Sequence, residues 1–307
     1  MFLTSDATRL GLGTGGYLFV VAIPDRLPAP GDLPGHLMKA RYTPMQYPVA
    51  GVDEQGTDSW ETMMKAESID GMPVVVADLH SAVPAIVAGI KHSCDATIAY
   101  VHTDTAALPV WLSMSASRLR ETGDISTIIT TGQSFGGDLE AVNVHSGLLA
   151  AKHVANADIA IVTQGPGNLG TGTPWGFTGT VVGDHVNAIN ALGGRCVATL
   201  RVSGVDSRPR HRGISHHSLR AYLKVALTPA YIPTTKNGID PALVEEIEAD
   251  YPRFGQRFTF VDVDTSGLAP VLEGLPLSTM GRSYAEDPAP FLFTGAGGIL
   301  AANLLDR

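Results

Sequence analysis

"DIAIVTQGPGNLGTGTPWGFTGTVVGDHVNAINALGGRCVATL", residues 158–200, decides how this chain folds. Its opening "DIAIVTQ" is a short apolar run without polar alternation, the pattern of a strand covered on both faces. From Gly165 to Phe177 there are five glycines, too many for the interior of a helix or a strand. "GTVVGDHVNAINALGG" then reads as a helix that stops on glycine, and "RCVATLRVS" as the next strand. Strand, loop, helix and strand make a right-handed βαβ unit, so the two strands are expected to be parallel.

The same alternation extends outward. "PVVVADLH" leads to the helical "SAVPAIVAGIKHSC", "TIAYVHTD" to "VWLSMSASRLRETG", and "STIITTG" to "EAVNVHSGLLAAKHVANA". Beyond the central unit, "SHHSLRAYLKVAL" and "IDPALVEEIEAD" read as helices, the latter with Asp240 as N-cap and Pro241 at its first position. "RFTFVDVD" completes six expected strands, and a closing helix is expected after Pro288. Residues 71–307 therefore read as a doubly wound, mostly parallel α/β domain of Rossmann-like type. Residues 1–70 are rich in proline and glycine, carry strand-like pieces ("GYLFVVAI", "HLMKARYT") and show no clear helix before Glu61. They read as a smaller β-rich subdomain. The chain opens almost at once on "LGLGTGG", so this β unit is expected to be incomplete or completed by a second copy in a homo-oligomer. Gly11, Gly13 and Gly16 there precede a strand instead of following one and read as a turn.

A chain of 307 residues that is 44% hydrophobic and 17% charged buries a substantial core. Its net charge of −9 argues against nucleic acid or an anionic membrane surface as a partner. Cys94 and Cys196 are too few for a disulfide framework or a cysteine zinc site. The uncharged stretch "PAPFLFTGAGGILAANLL" reads as a loop entering a buried helix, not a membrane span. With no basic and apolar leader at the N-terminus, a cytoplasmic protein is expected.

Function is expected where strands of such a sheet end. Glycine, histidine, arginine and carboxylates crowd "DLHS", "HTDTAALP", "TGQSFGGDLEAVN", "GPGNLGTGTPWG" and "SRPRHRGISHHS", whereas the opposite edge carries plain turns such as "LRETGD" and "ALGGR". Gly165, Gly167 and Gly170 match the spacing of a dinucleotide fingerprint, but the next strand ends in "RVS" without the acidic residue that would hold a ribose. Thr171 and Gly172 stand where a phosphate-binding lysine and hydroxyl would be needed. What remains is a backbone whose N–H groups turn inward ahead of a helix, with hydroxyls on Thr171 and Thr173, a setting for an anion. Arg208, Arg210, His211, Arg212, His216 and His217 reverse the charge locally in an acidic protein, and arginine forks suit carboxylate or phosphate. Ser215 is expected to cap the following helix and to set both adjacent histidines on its first turn. In "GQSFGGDLEAVN", Gly136 and Gly137 allow a bend, and Asp138, Glu140 and Asn143 are expected in a first helical turn; acidic side chains there also simply complement the helix dipole. Asp78 and His80 end one strand while His102 and Asp104 end the next; were those strands neighbours, Asp78, His80 and Asp104 would converge as ligands for a divalent metal.

Together "LGLGTGGY", "GHLMKARYTP", "GGDLEAVN", "GPGNLGTGT" and "RHRGISHH" resemble a bacterial family catalogued only as a domain of unknown function, family 3866, along the whole chain. The resemblance implies no activity, so the chemistry rests on the residues. They suggest an enzyme acting on a small anionic, phosphorylated metabolite by hydrolysis or group transfer. The 165–173 loop and Arg208, Arg210 and Arg212 would hold the anion, and Asp138, Glu140 or His216 would act as acid or base. The alternatives are a sensor or scaffold that binds a nucleotide or metabolite without chemistry, and a metal-dependent hydrolase.

Overall fold

Eight apolar runs assemble into one sheet: β1 (Pro73–Ala77), β2 (Ile98–Thr103), β3 (Thr127–Thr131), β4 (Leu139–Ala141), β5 (Ile159–Gln164), β6 (Arg195–Ala198), β7 (Ala230–Thr234) and β8 (Phe258–Asp262). This is seen in a computed structural model, which describes residues 2–3, 20–22, 34–43 and 46–305. The spatial order is β8-β7-β6-β1-β5-β2-β3-β4, and every neighbouring pair is parallel. Every residue of β1, β2 and β5 is buried, which is why their sequences carry no polar alternation.

Helices cover both faces. On one, α1 (Val83–Ser93) packs against α2 (Met114–Glu121) and the last helix, α7 (Ala289–Asn303). On the other lie α3 (Val144–His153), α4 (Val181–Ala191) and α5 (His216–Arg220), which runs on into a π-helical turn at Ala221–Val225. α6 (Pro241–Glu248) starts as its sequence predicts, with the Asp240 carboxylate accepting a hydrogen bond from the Ala242 N–H. The chain is thus a doubly wound α/β protein. Among the described residues no helix is long and apolar enough to cross a membrane.

Four local expectations change. β4 and β7 join the six strands anticipated. Asp138 and Glu140 do not open a helix: Glu140 lies within β4, Asp138 immediately precedes it, and α3 begins only after Asn143, whose side chain caps it. "PAPFLFTGAGG" is not a loop but the body of α7. There Gly298 lets α7 approach α1 so closely that a Cβ would meet the Ile86 carbonyl. Lastly, β1 and β2 are not neighbours, because β5 lies between them.

Small antiparallel pairs occupy the N-terminal region, Phe2–Leu3 with Val20–Ala22 and Leu37–Lys39 with Tyr47–Val49. The second pair is fastened to the sheet edge: Lys39 Nζ, 1% exposed, donates to the carbonyls of Gly132 (2.9 Å) and Ala141 (3.2 Å) and lies 3.3 Å from Glu140 Oε2. The Gly11, Gly13 and Gly16 turn falls outside the described residues.

Candidate functional site

The connection leaving β1 runs toward β2, whereas the connection leaving β6 runs the opposite way, toward β7. Diverging connections open a crevice at the carboxyl ends of β1 and β6, the place where open α/β sheets bind ligands. β1 delivers Asp78 there, β5 delivers the glycine loop, and the chain leaving β6 delivers Arg201 and then the arginine and histidine segment. A cleft of about 420 Å³ lies between them, closed on its far side by the hairpin of Ser278–Thr279 with Arg282–Ser283.

Asp78 anchors the floor at 4% exposure. Its Oδ1 accepts from Asn168 Nδ2 at 2.9 Å, and its Oδ2 lies 3.3 Å from both Arg201 Nη1 and His217 Nδ1. Burial pushes this carboxyl toward the neutral form, but the hydrogen bond from His217 and the Arg201 charge outweigh it and hold the group below the usual carboxylate range. Asp78 is therefore an anion at neutral pH. His217 Nδ1 also lies 2.9 Å from Arg201 Nη1, and Phe177 stacks on its ring at 3.9 Å with the planes 2° apart. Thr178 Oγ1 donates to Asn168 Oδ1 (3.0 Å), which fixes the amide that serves Asp78. Gly179 is required by this packing, since a Cβ there would collide with the Asp78 carboxylate.

Three imidazoles stand above that floor. Ser215 caps α5 as expected, accepting from the His217 N–H, and its hydroxyl lies 2.8 Å from His211 Nδ1. Ring centroids are 4.9 Å apart for His211 and His216, 5.0 Å for His211 and His217, and 4.4 Å for His216 and His217. Among the described residues these three form the single group whose potential metal-ligating atoms come together, one atom from each within 4.8 Å of the others. Burial, reinforced by neighbouring Arg201 and other cations, lowers His211 to about 3; burial with His217 and Arg210 lowers His216 to about 4. Both rings are uncharged at neutral pH and offer lone pairs to the cleft.

The arginines divide by orientation. Arg208 lines the cleft but is clamped by Asp206, with Nε donating to Oδ1 at 2.9 Å and Nη2 to Oδ2 at 2.8 Å, while Arg282 Nη2 shares Oδ2 at 3.1 Å. Arg210 lines the same wall, exposed, and forms no ion pair with the described residues. Arg212 turns away to Glu246 and the Gly204 carbonyl.

Gly167, Gly170, Gly172 and Thr173 line the opposite wall. Gly167 takes φ +92°, a left-handed conformation that favours glycine. Gly165 packs instead on the His102 ring, where a Cβ would come within 2.6 Å of Nε2. The loop does not run straight into a helix. A bridge between Gly170 and Phe177, with the Thr171 N–H donating to the Gly176 carbonyl at 2.7 Å, makes a small hairpin, and α4 begins only at Val181. The dipole of α4 is correspondingly displaced from Thr171 and Thr173.

Several predicted site residues are not brought here. Gly136, Gly137, Asp138, Glu140 and Asn143 lie at the β4 edge, with β5, β2 and β3 between them and β1. Asp138 is held by Arg120 Nε (2.9 Å) and the Ile128 N–H (2.8 Å); Glu140 accepts from Thr130 Oγ1 and the Gly136 N–H, both at 2.6 Å. Asp78, His80 and Asp104 do not converge either. His80 does line the cleft, but its Nδ1 faces Tyr100 Oη at 2.9 Å and its Nε2 the Ser113 hydroxyl at 2.5 Å, whereas Asp104 accepts from the Gln133 N–H at 2.7 Å. Conversely, Arg201, Asn168 and Phe177 escaped sequence reasoning. The one available signal was an arginine placed directly after an apolar strand.

Fold and site define a doubly wound α/β protein with a cationic, histidine-lined cleft at its topological switch point. The chain belongs to the family described as "Protein of unknown function (DUF3866)", whose model matches residues 1–298, in keeping with the resemblance drawn from its motifs. No curated protein matches the sequence.

Proposed function

We propose that the cleft is the active site of an enzyme that binds a small anionic metabolite, in the first instance a phosphorylated one, and acts on it by hydrolysis or group transfer. The observation that carries this reading is Arg210, an exposed guanidinium without an ion-pair partner among the described residues, standing with Arg208 on the wall of a cleft in a protein of net charge −9. Guanidinium forks are suited to phosphate and carboxylate oxygens, and the glycine loop across the cleft exposes backbone to the same space. In the metal-free cleft, His216 offers its one lone-pair nitrogen to a proton of the bound molecule.

The test is thermal denaturation of the chelator-treated protein with inorganic phosphate, sugar phosphates and nucleotides. A ligand at a hundred times its dissociation constant stabilises by about 2.7 kcal/mol, readily seen as a shift in Tm. Loss of one charged hydrogen bond costs about 1.5–3 kcal/mol, so Arg210→Ala is expected to weaken that ligand by about tenfold or more. Being exposed, Arg210 can be replaced with the ligand-free Tm unchanged. A panel with no response, or a response that Arg210→Ala leaves intact, contradicts the proposal.

A further inference from the structure

We propose that His211, His216 and His217 form a binding site for one divalent transition-metal ion of the Zn2+ type, open to the cleft. Three histidines are a recurrent ligand set for catalytic zinc, which keeps its fourth position for solvent or substrate. Here polar groups stand behind two of the three rings. His211 Nδ1 lies 2.8 Å from Ser215 Oγ; in the tautomer that donates Nδ1–H to this hydroxyl, Nε2 of the ring is free. His217 Nδ1 lies 3.3 Å from Asp78 Oδ2 and 2.9 Å from Arg201 Nη1; ligation through Nε2 requires the tautomer that donates Nδ1–H to the carboxylate, with the Arg201 N–H turned onto Asp78 Oδ2, 3.3 Å from its Nη1. A carboxylate behind a ligating imidazole fixes both its tautomer and its orientation. His216 has no hydrogen-bond partner among the described residues, so neither of its nitrogens is committed elsewhere.

The geometry is near what is needed. Tetrahedral Zn–N bonds of about 2.0–2.1 Å place ligand nitrogens about 3.4 Å apart, and the three nitrogens here already lie within 4.8 Å of one another. Binding draws the nitrogens together by up to about 1.4 Å on this measure, and His216 at the start of α5 is only half-buried. The donor set selects the ion: imidazole suits zinc, cobalt, nickel or copper over magnesium and calcium, which take oxygen.

Nearby charges say what completes the coordination. Arg201 is balanced by Asp78, and Arg208 with Arg282 by Asp206 and Asp287, whereas Arg210 has no carboxylate partner among the described residues. An added dication beside a spare guanidinium calls for an anion, so an anionic oxygen is the expected further ligand. The proposal deepens the reading above, since it rests on the same cleft and gives the metabolite's anionic group a second point of attachment.

The test is a titration of the metal-stripped protein with Zn2+ against a chromophoric chelator, without any metabolite. One equivalent per chain is expected, and both His216→Ala and His211→Ala should weaken it by at least tenfold. His216→Ala removes a half-buried side chain without hydrogen-bond partners among the described residues, so it tests the site even if His211→Ala misfolds. Failure to take up one equivalent, or uptake unchanged in His216→Ala, overturns the proposal. The anion experiment is run in chelator, so the two claims fail separately: anion binding without Zn2+ uptake removes only the metal, and Zn2+ uptake without an anion response removes only the metabolite.

Discussion

His102 and His185 sit in the protein's interior and His80 is half-buried at the cleft, and among the described residues none has a carboxylate partner. Burial lowers His80 and His185 to about 4 and His102 to about 3. Among the described residues His102 Nε2 and His185 Nδ1 have no hydrogen-bond partner, as befits rings held neutral by burial. In the unfolded chain these side chains titrate near the ordinary value of about 6.5. Between pH 6.5 and 4 the unfolded state therefore binds more protons than the native state, and stability falls as pH falls through that window. A depression to about 4 corresponds to about 3 kcal/mol for each such histidine. Asp78 acts lower: its native carboxyl is held below the usual range, so its contribution is present above that range and lost only as pH falls through the native value. Thermal denaturation in steps from pH 7.5 to 4.5 is expected to show Tm dropping steeply from about pH 6.5. A Tm that stays level to pH 5 would show that these histidines are not buried and neutral. At this scale the sequence supplied the right residue types but not their partners. Asp78 is a clear strand-end carboxylate, yet its neighbours Arg201 and His217 lie more than a hundred positions away and meet it only through the strand order.

Elements were legible where hydrophobicity was continuous and obscure where it was not. β4 is three residues long and includes Glu140, whose negative charge would normally be excluded from a covered strand; the ion pair with Lys39 makes it tolerable. β7 contains Pro233, which argues against an interior strand. Its ladder with β6 is one registered pair, Val197 with Tyr231, and Pro233 lies beyond it. The Lys39–Glu140 pair yields a prediction belonging to this scale. Lys39→Met leaves a buried carboxylate without its cation, at a cost of about 3 kcal/mol or more, whereas adding Glu140→Gln removes the stranded charge and should restore most of it. Denaturant unfolding of the single and double variants measures both. A single variant as stable as the parent would mean that Lys39 does not fasten the N-terminal hairpin to the sheet.

Across the whole molecule, the doubly wound plan was readable because repeated strand and helix units leave few topologies. The site was only half readable, because the chain visits its strands out of spatial order. Insertion of β5 between β1 and β2 separates Asp78 from Asp104, and placing β6 beside β1 supplies Arg201 and the three histidines instead. The loop at β4, equally rich in glycine and carboxylate, ends at the far edge, where those groups hold backbone and neighbouring side chains. An acidic protein thus gathers cationic groups and uncharged imidazoles at one crevice, and the account stands or falls on what that crevice holds. The most direct measurement is a crystal structure after soaking with tungstate, a dense tetrahedral oxyanion whose anomalous signal fixes its position. The account predicts tungstate in the cleft, in contact with Arg210 and facing the Gly167–Gly170 backbone. Tungstate bound elsewhere, with the cleft left to solvent, would contradict it.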